Sequence, residues 1–173
     1  MFWLNFLGKI FKLLHSDKTP RHLAAGFALG SIIGLTPFLS LHNLVIFCLI
    51  FLLNVSIPAA TFAMFVCELF AYLFDPFFHE VGYNLLVKVE FLKPFWTQLY
   101  SMPIAPLTKF YNTVVLGSFV TSLITFIPVY FAFKYFVIYY RLHLAEKVEN
   151  LKIVKIISGS NLFQLVKKVQ IKM

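Results

Sequence analysis

The pattern of apolar and polar residues divides the chain into long apolar runs with charged ends. No formally charged side chain occurs between Arg21 and Glu68. An uncharged run of that length is longer than a core helix of a soluble protein needs, and longer than one membrane span. The pattern therefore predicts an all-α membrane protein that forms a single integral membrane domain over residues 1–173.

Residues 1–17 begin with an amphipathic helical pattern. Apolar side chains recur at three- and four-residue spacing, and Lys9 and Lys12 lie on the opposite face. A basic face opposite an aromatic-rich apolar face is typical of a helix that lies in the headgroup plane. The alternative is a helix that packs on the cytoplasmic face of the protein itself.

Residues 18–140 contain the predicted membrane helices, and the first two are short. Thr19 and Pro20 are start signals for a helix that is expected to run to Thr36. A second helix is expected from Leu41 to Leu53. Their lengths, roughly 23 Å and 20 Å, are below the roughly 30 Å of a hydrocarbon core. They predict a re-entrant hairpin that enters and leaves on one side, with two thin, tilted crossings as the alternative.

The first helix carries glycines at four-residue spacing, namely Gly26, Gly30 and Gly34, and Pro37 follows where its apolar run ends. Lipid does not drive apolar helices together, so a stripe of small residues indicates close approach of backbones. We expect another helix, from this chain or from a partner, to lie against this stripe.

The third apolar run is expected to form a helix from Ala59 to Phe74 that ends at Asp75–Pro76. It contains Glu68, whose burial in an apolar environment costs several kcal/mol unless the carboxyl group is protonated or paired. The candidate partners are His42 and Asn43 in the hairpin, or Arg21 at its mouth. A structural role that holds this helix against the hairpin is favoured over proton or ion handling.

The second half of the chain predicts a connection and one more span. A helix is expected to end near Val89, followed by an interfacial segment with three prolines. The last apolar run reaches Tyr140, with a small-residue stripe around Gly117 and a predicted kink at Pro128. Residues 141–173 are expected to form a basic cytoplasmic tail that begins with a helix.

Composition and charge place these helices in a membrane. The chain is 60% hydrophobic and 13% charged, against about 25% charged in soluble domains. Its net charge of +8 comes largely from basic residues near both ends, which is typical of cytoplasmic flanks facing anionic lipid and less simply explained by nucleic-acid binding. Both termini are therefore predicted to be cytoplasmic.

One stretch resembles a known family. The string Pro20…Ala24-Ala25-Gly26-Phe27-Ala28-Leu29-Gly30…Gly34…Pro37, followed by Asn54…Pro58, is similar to the bacterial domain of unknown function 2062 family. Family members often carry an Asn-Pro dipeptide where this chain has residues 65–69, so no role tied to that dipeptide carries over. The longer form resembles a subgroup from bacteria with outer membranes, whose genes tend to neighbour one for a large envelope protein. The resemblance implies an inner-membrane location and such a partner, and no established activity.

Three functions are weighed. The first is a non-enzymatic inner-membrane subunit that contacts membrane lipids and anchors a larger envelope protein, through a partner helix in the glycine stripe or through self-association, in lipid transport between membranes. The second is a small transporter or lipid scramblase that uses the hairpin and Glu68. The third, a membrane enzyme, is the least favoured, because no catalytic motif, metal-ligand spacing or cofactor signature occurs in the sequence.

Overall fold

The computed structural model describes residues 13–144, and the described residues are helical, with no strand among them. This confirms the predicted all-α class. The chain divides into two compact units, one formed by residues 18–134 and the other by residues 1–17 with 135–173. Five α-helices lie wholly within the described residues: α1 (Pro20–Leu35), α2 (Leu41–Leu52), α3 (Ile57–Tyr83), α4 (Lys93–Tyr100) and α5 (Thr113–Tyr139).

The boundaries of α1 and α2 follow the predicted turn signals. The Thr19 hydroxyl accepts a hydrogen bond from the backbone N–H of His22, and Pro20 occupies the first turn of α1. After α2 the chain reverses at Asn54, whose φ of 48° lies in the left-handed region that asparagine tolerates better than most residues. Pro58 then occupies the first turn of α3.

The α1–α2 hairpin returns the chain to the level at which α1 begins. The backbone N–H of Ser56 donates to the carbonyl oxygen of His22 over 3.2 Å, and Lys18 Nζ donates to that of Val55 over 3.3 Å. As a result α3 starts beside α1 and runs parallel to it. The core of this unit lies between α1, α2 and α3, where the side chains of Leu29, Ile32, Ile33, Ile46, Ile50, Val55 and Ala60 are buried together.

The third helix does not end at Asp75–Pro76, and this prediction was wrong. Helix α3 continues through Pro76 to Tyr83. Proline removes one helical hydrogen bond, but the turns beyond it are held by packing: Phe78 is only 2% exposed and Gly82 contacts α5. Tertiary contacts therefore outweigh the local break signal.

The segment after α3 agrees with the predicted connection. One π-helical turn (Asn84–Lys88) ends next to Val89, and two 3-10 turns flank α4. Asn112 caps the start of α5, since its side-chain oxygen accepts a hydrogen bond of 2.9 Å from the N–H of Val114. Pro128 lies inside α5, and the kink predicted there stays a prediction.

Two helical stretches are long and apolar enough to cross a membrane, Ile57–Lys88 and Thr113–His143. Their most apolar windows are only 17% and 28% buried within the protein, whereas a core helix of a soluble protein would be mostly buried. Helix α2 is apolar but shorter. Whether α1 and α2 form a re-entrant hairpin or two crossings stays a prediction.

The second unit is described from residue 13 to 17 and from 135 to 144. Arg141 donates from Nε to the carbonyl oxygen of Leu14 over 3.0 Å, and from Nη2 to that of Ser16 over 2.8 Å. The rings of His15 and Tyr140 meet edge to face with centroids 5.6 Å apart. These contacts join segments that are far apart in sequence. Most of the predicted N-terminal helix and basic tail lies outside the described residues.

Candidate interaction site

The glycine stripe of α1 lies directly against α3. A Cβ atom added at Gly30 would be 2.6 Å from the Cα of Ala60, and one added at Gly34 would be 2.6 Å from the carbonyl oxygen of Met64. Gly26 approaches the backbone of Ser56 in the same way, so each glycine faces a residue thirty positions later. Real Cβ atoms essentially never come this close to backbone, and any side chain here would force the helices apart.

This contact decides between two expectations for the stripe. The helix in the groove belongs to this chain, and a partner helix packed into the same groove is therefore excluded. Any partner has to use another surface of the protein.

A second close crossing joins α3 to α5. An added Cβ at Gly82 would be 2.6 Å from the carbonyl carbon of Thr113, and one at Gly117 would be 2.7 Å from that of Phe78. Ser118 and Ser122 are buried on the same helix. Gly117 and the two serines belong to the small-residue stripe noted in the sequence. Gly82 was missed there, because it stands alone beyond Pro76.

Asn43 holds the turn between α1 and α2. Its side chain is 1% exposed, and its Nδ2 donates to the carbonyl oxygen of Pro37 over 3.0 Å. The Thr36 hydroxyl has two acceptors at 2.8 Å, Asn43 Oδ1 and the carbonyl oxygen of Ile32. The hydrogen bonds of this buried amide fix the turn. Asn43 was singled out in the sequence as a partner of Glu68; Thr36 and Pro37 are its partners instead.

The side chain of His42 also makes its contacts in and next to the hairpin turn. Its Nε2 lies 2.9 Å from the Ser40 hydroxyl oxygen, and its ring lies 4.6 Å from that of Phe119 on α5. Pro37 itself is exposed in the turn, next to the exposed side chains of Phe38 and Leu39.

Glu68 lies on the exposed surface of α3. Within residues 13–144 it forms no hydrogen bond or ion pair with His42, Asn43 or Arg21, or with any other side chain. The prediction that Glu68 holds α3 against the hairpin was wrong. The sequence places the carboxylate on a helix but does not show which side of that helix is covered.

The exposed part of α3 extends well beyond Glu68. None of the ten residues from Glu68 to Phe77 is buried. Leu69 is 71% exposed, Tyr72 76% and Leu73 76%. We call residues 68–77 the open segment of α3. It lies between the part of α3 that contacts α1 and the part that contacts α5.

The polar residues considered for chemistry are not gathered into one site. His79 Nδ1 lies 2.7 Å from the Thr113 hydroxyl oxygen. Asn43 is hydrogen-bonded within the hairpin turn, and Glu68 is exposed on the surface of α3. Among the described residues no group of three or more His, Cys, Asp or Glu side chains is arranged to hold a metal ion.

An open apolar groove of about 400 Å³ lies beside α4 and was not predicted. Trp96, Tyr100, Phe110 and Leu86 line it. The indole N–H of Trp96 donates to the carbonyl oxygen of Leu85 over 2.9 Å and so fixes the ring. The sequence showed an aromatic interfacial segment, but not that the rings converge.

Comparison with known proteins finds a matching family model and a relative that aligns with most of the chain. Residues 5–145 match the family model described as an uncharacterized protein conserved in bacteria (DUF2062). An uncharacterized protein from Treponema pallidum (strain Nichols) is 26% identical over 147 residues, which cover 85% of this chain and 90% of the relative. No solved structure matches.

Proposed function

The chain belongs to the DUF2062 family of uncharacterized bacterial proteins, which brings no activity with it, so we propose a function from the geometry of the site. We propose that the protein is a non-enzymatic, multi-pass subunit of the bacterial inner membrane that anchors a larger envelope protein. In this proposal the partner inserts a helix beside α3. In this proposal the envelope protein takes part in lipid transport between membranes.

The observation that carries the proposal is the open segment of α3. The two helices of membrane-spanning length leave most of their apolar surface uncovered, and lipid or another helix has to cover it. The open segment combines large exposed apolar side chains with two acidic residues, Glu68 and Asp75. Ionisable residues in membrane segments usually face protein or water rather than lipid, and this favours a second protein at Glu68.

The rest of the molecule supports this role as a rigid frame. The glycine contacts hold α1 against α3, and those at Gly82 and Gly117 hold α3 against α5. Helices fixed at both ends of the open segment present it in one conformation, which lowers the entropic cost of binding a partner. The basic residues near both termini support cytoplasmic ends, and in this proposal α4 and its flanking turns lie on the outer side.

Transport is the weaker proposal. A substrate path built from the hairpin and Glu68 needs their polar groups to line one cavity. Asn43 and His42 are bonded within the hairpin turn instead, and Glu68 faces away from the protein.

The test is isolation of the native complex. The full chain, affinity-tagged and expressed at its native level, is extracted from native membranes in a mild detergent and analysed by native mass spectrometry. We expect a stoichiometric complex with a larger envelope protein. A solitary, monodisperse chain would contradict the proposal. Lipid scrambling by liposomes that contain the purified protein, at a rate changed by Glu68→Gln, would also contradict it.

A further inference from the structure

The carboxylate of Glu68 lies near the middle of a helix of membrane-spanning length. It is eleven residues from Ile57, where α3 begins, so it lies about 16 Å along the helix. This distance is about half the thickness of a hydrocarbon core of roughly 30 Å. A carboxylate at that depth needs a donor, and the described part of this chain supplies none.

A backbone acceptor that lacks its usual helical donor lies further along the same helix. Pro76 has no backbone N–H, so the carbonyl oxygen of Tyr72, four residues earlier, lacks its usual helical donor. Residues 68 and 72 lie on the same side of a helix in neighbouring turns. The open segment therefore presents two acidic side chains, Glu68 and Asp75, and a backbone carbonyl oxygen without its usual donor.

These groups define the chemistry of what binds. Side chains with several donors and no acceptor are those of lysine and arginine, and ionisable residues inside membranes pair with one another. We propose, building on the proposed function, that the open segment docks a transmembrane helix of a partner protein that carries a lysine or arginine at the depth of Glu68. The basic side chain binds the Glu68 carboxylate.

A second copy of this chain fits the segment less well. In a two-fold dimer about an axis normal to the membrane, each residue at the axis meets its own copy. Two copies packed through α3 would place Glu68 against Glu68, and Asp75, seven residues on, against Asp75. Two levels of like charge oppose that arrangement.

The test uses the full-length protein with synthetic transmembrane peptides, so it does not depend on isolating the native partner. The protein, fused to a donor fluorophore, is reconstituted in phosphatidylcholine liposomes with acceptor-labelled peptides of leucine and alanine. The peptides differ only at the central residue, which is Lys, Asn or Leu. Energy transfer across a dilution series in lipid gives the association constant.

We expect the Lys peptide to associate most tightly, and Glu68→Leu to weaken it roughly 5- to 30-fold, the range for one interhelical hydrogen bond in a membrane. The matched control moves the carboxylate to another side of α3 in the double variant Glu68→Leu/Leu73→Glu, and we expect it not to restore binding. Both positions are exposed, so neither variant disturbs packing, and circular dichroism checks the fold.

Three results would overturn the inference: equal association of all three peptides, no effect of Glu68→Leu, or full recovery in the double variant. Energy transfer between copies of the chain that is lost with Glu68→Leu would assign the segment to a second copy instead. A native complex that survives Glu68→Leu would refute this docking site and leave the proposed function standing. Absence of any native complex would refute the proposed function.

Discussion

The contact between Gly30 and Ala60 allows a prediction in which a single methyl group separates two helices. In Gly30→Ala the new Cβ would lie 2.6 Å from the Cα of Ala60, and closer still to its carbonyl oxygen. Ordinary van der Waals contact between carbon atoms requires about 3.5–4.0 Å. The helices must therefore move apart by about 1 Å, because the atom that is met belongs to backbone and cannot rotate away.

The expected cost follows from the packing that this movement loses. Overpacking a well-packed interior costs typically 1–3 kcal/mol, and here the neighbouring glycine contacts at Gly26 and Gly34 loosen as well. Alanine recovers at most about 1 kcal/mol through its better helix propensity. We expect a net loss of about 2 kcal/mol in the free energy of unfolding, or roughly 4–8 °C in Tm at 2–4 °C per kcal/mol.

The assay is thermal unfolding of the full chain in detergent, followed by tryptophan fluorescence and by the fraction that stays monodisperse. Val45→Leu is the matched control, since it adds one methylene at an exposed apolar position of α2 and should leave Tm within about 1 °C. An unchanged Tm in Gly30→Ala would refute the packing of α1 on α3, and a loss equal to that in the control would do the same.

Three further predictions concern other contacts. Asn43→Ala should lower the free energy of unfolding by about 1–3 kcal/mol, because the Pro37 carbonyl loses the donor that the buried Asn43 side chain supplies. Chemical unfolding measures this loss, and a loss below 0.5 kcal/mol, within the range of ~±0.5 kcal/mol for surface changes, would contradict the prediction. Gly117→Ala should separate α5 from Phe78 and lower Tm as Gly30→Ala does, in the same melting assay; equal melting of variant and parent would refute that crossing. Arg141→Gln should remove charge-assisted hydrogen bonds to Leu14 and Ser16 and speed proteolysis near residue 15 several-fold, whereas unchanged cleavage would count against the Arg141 contacts.

Much of the secondary structure could be predicted from local signals. Thr19, Pro20, Asn54 and Pro58 mark helix ends through capping, a fixed φ or a left-handed turn, and these effects act within a few residues. Pro76 shows the limit of such signals. A proline that ends an isolated helix is accommodated when packing beyond it is strong, and the contact of Gly82 with α5 cannot be read locally.

The candidate site could be predicted only in part, for a related reason. The spacing of Gly26, Gly30 and Gly34 shows that a backbone lies close by, but not whose backbone it is. The contacting backbone belongs to α3, and each glycine faces the residue thirty positions later in the chain. This pairing depends on the hairpin, which returns the chain to the level at which α1 begins. Likewise, Glu68 is recognisable as an unusual residue, while the side it faces depends on which neighbours cover α3.

The most direct test of the whole account is a photo-crosslink, in native membranes, from the side of α3 that bears Glu68. A photoreactive residue is placed at Phe65, which is 63% exposed and one turn from Glu68, or at Leu73 as the control on another side of the helix. We predict one discrete adduct from position 65, with a larger envelope protein, that disappears when Glu68→Leu is added. Adducts formed only with lipid or with a second copy of the chain would contradict the account. An adduct that persists unchanged when Glu68→Leu is added would also contradict it.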